Sequence, residues 1–314
     1  MSRIVLPWPS RVMDPGARVL VVMAHPDDEM SCGGLAQRLP STARFLWVTD
    51  GDGLAESLQV RPAELAAARR LETEAAMAAV GVSGDRLRFL GQGEIGLYQA
   101  LRQCQQDPRK RHEVFGRMRD VGRLVAAEVM AFRPDVVVTM GWQGAQPIHD
   151  LVHLWVRRAL DRLPEALLFE VPILDLAWPV PLRFPPWHRD PVHEVRLTAR
   201  EWEAKARMMA CWISQDSVLA PVRSIVRGLD CLVRVGGRRV SMEDLLQAEH
   251  FTAVPRDRDY TRSPHGTDLL DYLLDAVDGP RILFRQTLAP IAHALAADGQ
   301  GQSPMYRTDP AVPA

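Results

Sequence analysis

Lysine is almost missing from this chain: of 38 basic side chains, only Lys110 and Lys205 are not arginine. Net charge is scarce too. The 38 basic and 39 acidic residues leave −1 at pH 7, so no overall field favours nucleic acid or an anionic membrane. No apolar run approaches the roughly 20 residues of a membrane-spanning helix. The stretch MSRIVLPWPSRVMDPG has no apolar core of signal-peptide length. Only four cysteines occur, Cys32, Cys104, Cys211 and Cys231, with no CxxC pair. Their scatter argues against a disulfide framework and a thiolate zinc site. The expectation is a reduced, cytoplasmic setting.

What is present is ordinary globular material: 47% hydrophobic and 25% charged residues. A chain of 314 residues buries roughly three-quarters of its unfolded surface without staples. RVLVVMAH (18–25), ARFLWVTD (43–50), RLRFLG (86–91), DVVVTMG (135–141) and ALLFEVP (166–172) read as strands. Helical patterns fall between them. One runs from about Asp27 to Leu39. One opens at Pro62, repeats Leu65, Ala68, Leu71, Ala75 and Ala79, and stops at Gly81. A third runs from about His112 to Phe132, burying Phe115, Met118, Val125, Val129 and Phe132, and ends at Arg133-Pro134. Further helices start near His149 and span 198–215. LVRVGGRRV (232–240) reads as a hairpin, and Ser241 to Asp244 as a capping box.

Strands alternating with helices predict an α/β fold: a Rossmann-like, mainly parallel sheet flanked by helices on both faces. Residues 1–16 are expected to be an N-terminal tail, 17–298 one domain, and 299–314 a C-terminal tail. Within the domain, 172–191 holds six prolines with Trp178, Phe184, Trp187 and His188. It reads as a lid or as a rigid connector. Right-handed crossovers direct ligands to the carboxyl ends of the strands.

At the first such end stands AHPDDE, residues 24–29. Helix-start chemistry accounts for Pro26 and one or two acids. It does not account for His25 beside three consecutive carboxylates, which raise one another's pKa unless a cation relieves them. His25 and Asp28 could bend towards one ion, zinc or alternatively iron(II). A third ligand is offered just past the fourth strand by His149 in MGWQGAQPIHDLVH (140–153). Asp27, adjacent but not a ligand, could then take a proton from water. His153 lies four residues after His149, a spacing that also suits a metal pair, although a helical histidine there more often packs in the core.

These motifs resemble the LmbE/PIG-L-like zinc-dependent de-N-acetylases, over roughly residues 16–275. The resemblance implies one zinc held by His25, Asp28 and His149, with Asp27 as general base. VTDGDG (48–53) is similar to a family segment that places an acid at Asp52. Arg69-x-x-Glu72 with Val80-Gly81 is similar to a family helix whose arginine points at substrate, and Glu94 falls near a substrate-contacting acid. FEVPI (169–173), SQ (214–215) and VPRDRDYTRSPHG (254–266) resemble later landmarks. In the second motif the family carries a histidine that steadies the oxyanion or protonates the leaving amine, and an aspartate that orients it. Here Gln146 and Ile148 stand instead. An amide can donate a hydrogen bond to an oxyanion but cannot deliver a proton. Asp27, His265 and His188 are the candidates for that proton.

The expected activity is hydrolysis of an N-acyl group, above all acetate, from an amino sugar or its conjugate. The expected partner is such a small molecule, with neither nucleic acid nor membrane. The alternative is a protein that keeps the zinc but binds its ligand without hydrolysis, or catalyses a different zinc-assisted reaction. A metal-free nucleotide-binding domain fits poorly. HPDDE, not GxGxxG, follows the first strand, and Cys32-Gly33-Gly34 comes too late for a phosphate cradle.

Overall fold

Two apolar runs, Val19–Met23 and Val136–Met140, are buried at every position. Such runs suit strands covered on both faces, and they form the centre of the sheet. The computed structural model describes residues 5–7, 9–178, 180–216, 224, 226–228, 230–231, 241–273 and 279–300. Among the described residues, eight strands form one sheet: β1 (Val5–Pro7), β2 (Val19–Met23), β3 (Arg44–Thr49), β4 (Leu87–Gln92), β5 (Val136–Met140), β6 (Leu167–Val171), β7 (Val192–Arg196) and β8 (Ala248–Ala253). Their order is β1-β7-β8-β6-β5-β2-β3-β4. The run β6-β5-β2-β3-β4 is parallel throughout, with Val21 opposite Val138 and Phe45. β8 lies antiparallel to both β6 and β7, and β1 is parallel to β7.

The helices are α1 (Gly33–Arg38), α2 (Pro62–Ala79), α3 (Glu94–Gln106), α4 (Arg111–Phe132), α5 (Pro147–Ala159), α6 (Ala199–Met209), α7 (Met242–Leu246) and α8 (Leu288–Gln300). α1 and α2 pack on α6, while α3, α4, α5 and α8 pack together. These two groups flank the sheet, and one hydrophobic core runs from Val12 to Ala292. Local chemistry sets the ends. Pro62 opens α2, Thr198 with Glu201 makes a capping box for α6, and Ser241 with Asp244 makes the expected one for α7. α4 stops where Arg133 turns left-handed ahead of Pro134.

Several expectations need correction. Residues 5–7 of the leading tail add an edge strand, and α3, β7 and β8 were not legible. The helix expected over 27–39 is a 3-10 turn, Asp28–Ser31, broken at Cys32 before α1. α2 is rotated relative to its apolar repeat. It buries Leu65, Arg69, Thr73, Ala76 and Met77, whereas Leu71 is 65% exposed. Arg69 turns the helix, because its guanidinium is drawn inward by acceptors described below. Phe115 is only half-buried, its place in the α4 stripe taken by Val114. The expected hairpin at 232–240 and residues 301–314 lie outside the described residues.

Strand order fixes where a site can form. From β2 the chain runs outward through β3 and β4; from β5 it runs the other way through β6. The order reverses between β2 and β5, and such a switch point opens a crevice at the carboxyl ends. AHPDDE follows β2 and QPIHD follows β5, so both candidate motifs meet at this crevice.

Candidate metal centre at the carboxyl end of the sheet

The three consecutive acids of the first motif are folded to three different uses. Asp28 is buried, and its Oδ2 accepts from the backbone N–H of Ala24 (3.0 Å) and of His25 (2.7 Å). That curls the chain back and leaves Oδ1 facing the crevice. Glu29 is wholly buried. Its Oε2 accepts from Trp47 Nε1 (2.9 Å) and from the N–H of Asp27 (2.9 Å), and its Oε1 from Trp212 Nε1 (3.2 Å). Asp27, between them, is held at φ 121°. A non-glycine residue adopts that conformation only when its surroundings impose it.

His149 lies in the first turn of α5, which Pro147 opens. Its Nε2 stands 3.2 Å from His25 Nδ1 and 3.1 Å from Asp28 Oδ1. His25 Nδ1 is 3.5 Å from Asp28 Oδ2. One ligand atom from each of the three residues lies within 4.8 Å of the others. Two imidazole nitrogens and a carboxylate oxygen thus converge from three directions, more lone pairs than hydrogen bonds among themselves can satisfy. His25 Nε2 adds to the strain: it is 3.1 Å from Glu94 Oε1 at ion-pair distance, yet off the line of a hydrogen bond. The donor set fits a zinc ion with an open position, and equally the two-histidine, one-carboxylate preference of iron(II).

The electrostatics agree with a cation here. Burial opposes a charge on His25, but the Glu94 and Asp28 carboxylates outweigh it and raise the ring to about 10. Burial also works against the Asp28 anion, yet His149 and His25 hold its carboxyl far below the usual range. A positive charge at this point, a proton on His25 or a cation, relieves the carboxylates around it. Asp27 is different. Burial raises it to about 6 against the opposing pull of Arg69.

Arg69 is buried and closes the site from α2. It pairs with Asp27 Oδ2 (2.9 Å) and donates to the carbonyls of Pro26 (2.5 Å) and Gly51 (2.7 Å). Gln215 completes this clamp. With its amide oriented so that both ends meet a partner, its Nε2 donates to Asp27 Oδ2 (3.2 Å) and its Oε1 accepts from Arg69 Nε (3.0 Å). Glu72 fixes the same turn by accepting from the N–H (2.8 Å) and hydroxyl (2.6 Å) of Ser214. Glu94 accepts from Gly53 N (3.1 Å), and Asp52 caps α3 through the N–H of Ile95 (3.0 Å). Arg69 and Glu94 thus border the candidate metal cluster, and Asp52, also buried, lies at the start of the helix that carries Glu94.

Other expected residues go elsewhere. His153 is fully buried, with Nδ1 at Met140 O (2.7 Å) and Nε2 at Tyr260 Oη (2.9 Å). Both nitrogens are spent outside the metal cluster. His188 stacks on Phe184 and reaches Thr252 Oγ1 at 3.3 Å. Ile148 packs in the core, and the buried Oε1 of Gln146, just ahead of α5, has no partner. His265 sits between Asp271 (2.6 Å) and Asp175 (3.0 Å). Sequence reasoning missed Asp150, which accepts from the N–H groups of Gln143 and Gly144 (both 3.1 Å) and from Tyr272 Oη (2.8 Å). Its signal was an acid in the first turn of a helix, beside a candidate ligand. Glu29 and Trp212 gave no such signal, since their meeting is purely tertiary.

Residues 20–160 match the family model described as PIG-L: GlcNAc-PI de-N-acetylase. That segment belongs to the LmbE/PIG-L family. No curated protein matches the sequence. Among solved structures, the chain is similar to a deacetylase–bog complex from the biosynthesis pathway of teicoplanin, with 18% identity and a TM-score of 0.54 over 77% of this chain and 99% of that one. It is similar to the deacetylase of the antimicrobial reagent A40926 pseudoaglycone, with 18% identity and a TM-score of 0.51 over the same shares. A deacetylase–teicoplanin complex gives 18% identity and a TM-score of 0.52, covering 77% of this chain and 100% of that one. At these identities the likeness defines the fold. Among the described residues, no helix is long and apolar enough to cross a membrane.

Proposed function

We propose that this chain is a zinc-dependent N-deacetylase that hydrolyses the acetamide of an amino sugar or its conjugate. The observation that carries this reading is the convergence of His25, Asp28 and His149, with Asp27 clamped beside them. Membership of the PIG-L family over 20–160 supports it. A zinc ion held by those three residues, or iron(II) in its place, supplies Lewis acidity to an acyl carbonyl and to water.

The chain's own residues supply the rest. Asp27 has Oδ2 committed to Arg69 and Gln215, so Oδ1 is the oxygen that takes the proton of the attacking water. A carboxyl poised near 6 is well matched to that task at neutral pH. Gln146 turns its amide N–H towards the oxyanion. Asp52, Arg69 and Glu94 form the wall that meets the sugar hydroxyls. The substrate is a small N-acylated sugar or glycoconjugate, and the enzyme works in the cytoplasm as a single domain.

One observation favours a second reading, a protein that binds metal and ligand without hydrolysis: Gln146 and Ile148 occupy both dyad positions, and Ile148 is sealed in the core. Assaying purified zinc-loaded protein against N-acetyl sugars and N-acyl glycoconjugates decides between them. Metal-dependent acetate release is expected. Ligand binding with no release over the whole panel establishes the second reading.

A further inference from the structure

The second motif carries Gln146 where a proton donor would stand, but the loop that holds it has an imidazole pressed against it. We propose that His265 is the proton donor of this site, taking over from the dyad whose positions Gln146 and Ile148 now hold. The proposal rests on the deacetylase reading above.

Gly144 lies two residues before Gln146 and five before His149, in the loop between β5 and α5. It is left-handed, with φ 66°. A Cβ placed there would stand 2.6 Å from Asp271 Oδ1 and 3.1 Å from His265 Nδ1. The His265–Asp271 pair therefore packs directly on the backbone of the second motif. Tyr272 ties the same segment down, with its N–H on Gly144 O (2.6 Å) and its hydroxyl on Asp150. A histidine with an orienting aspartate thus reaches this loop from a distant part of the chain.

The two sides of the ring differ. Nδ1 faces Asp271, which is wholly buried and whose backbone carbonyl accepts from Arg281 (2.8 Å). Nε2 faces Asp175 at 3.0 Å. Asp175 belongs to the proline-rich loop that starts at the carboxyl end of β6, where Ile173 N donates to Gln143 Oε1 (2.7 Å). A ring with a carboxylate on each nitrogen carries a proton on both. Burial opposes that charge, and Asp175 and Asp271 outweigh it, raising the ring to about 9. Asp150 accepts from the N–H of Gly144, the glycine on which the pair packs (3.1 Å). No metal ligand touches the ring among the described contacts.

The step balances. Water adds its hydroxide part to the acyl carbon and leaves its proton on Asp27. As the C–N bond breaks, the electron pair goes to nitrogen, which takes the Nε2 proton as His265 exchanges Asp175 for the substrate. His265 is left neutral with Nδ1–H on Asp271. Asp27 returns its proton to solvent, and His265 regains one.

The test uses full-length protein, the variant H265Q, and two probes: an N-acetylglucosamine glycoside and 4-nitrophenyl acetate. An amine must be protonated to leave, whereas 4-nitrophenolate leaves unaided. The expected result is a kcat loss of about 10²–10⁴ on the amide, KM within threefold, less than tenfold loss of metal-dependent ester hydrolysis, and unchanged metal content. Equal losses on both probes, or no loss on the amide, overturn the proposal while leaving the deacetylase reading intact. A zinc-loaded wild type that releases no acetate removes that reading and the donor with it. If H265Q does not fold, nitrogen-15 NMR of the histidine-labelled wild type decides. The ring bonded to Asp271 must be doubly protonated at pH 7, and a neutral ring there overturns the proposal.

Discussion

Asp27 owes its strained backbone to Glu29, which takes its N–H, and its carboxylate geometry to Arg69 and Gln215. Replacing the carboxylate by an amide keeps the shape and removes the base. Asp27→Asn is expected to lower kcat by about 10²–10⁴ with metal content unchanged, measured by acetate release beside elemental analysis. Survival of activity within tenfold would remove Asp27 from its role. His25 gives the second prediction at this scale. A metal must displace the proton that its neighbours hold there up to about 10. Affinity for zinc is therefore expected to rise about tenfold per pH unit between 6 and 8, with one proton released per ion. Competitive chelator titration at the two pH values checks it, and a flat affinity would show that His25 holds no proton for the metal to displace in this range. The ligand candidates could be read from the sequence because they sit in two short motifs. The clamp was legible only in part: Arg69 and the SQ pair at 214–215 carried a family likeness, whereas their meeting with Asp27, and that of Trp212 with Glu29, is tertiary and has no local pattern.

At the scale of elements, α2 shows why periodicity alone misleads. Its alanine-rich repeat marked Leu71 and Ala75 as core, but alanines read similarly on any face. The charged residue decided the rotation, since a buried guanidinium with four acceptors outweighs one exposed leucine. Leu71→Ala is accordingly expected to change stability by no more than about 0.5 kcal/mol, and Met77→Ala to cost about 2–5 kcal/mol, both by denaturant unfolding. α1 depends on another tertiary contact. Glu249 of β8 accepts from the N–H groups of Gly34 (2.6 Å) and Leu35 (2.7 Å) and pairs with buried Lys205 (2.6 Å). Lys205→Met leaves that carboxylate uncompensated and is expected to cost about 3–5 kcal/mol. A loss below 1 kcal/mol would show that Glu249 needs no cation. The five parallel strands were legible from their apolar runs. β7 and β8 were not, because strands near the edge of a sheet carry mixed patterns such as VHEVR and AEHFTA.

The whole molecule is joined to its site through α5, which carries His149 at its start and buries His153 one turn later. Burial holds His153 neutral, lowering it to about 4. The unfolded chain takes up that proton near 6.5. The contribution to stability is therefore complete above pH 6.5 and is lost as pH falls towards 4, with a slope of up to about 1.4 kcal/mol per pH unit from this one residue. Urea unfolding between pH 7 and 4.5 should show that slope in the wild type and a shallower one in His153→Gln. Equal slopes would place the acid sensitivity elsewhere.

The reversal of strand order between β2 and β5 has a consequence for how the protein is made. Two of the three candidate ligands, His25 and Asp28, lie before residue 30 and the third is His149, so neither group would bind a cation tightly until the two central strands have aligned in register. A cation bound there would work as a clasp across a long loop and draw stability from closing it. A chain stalled on synthesis before α5 would be blind to zinc, and the moment of metal capture would time-stamp the completion of the sheet.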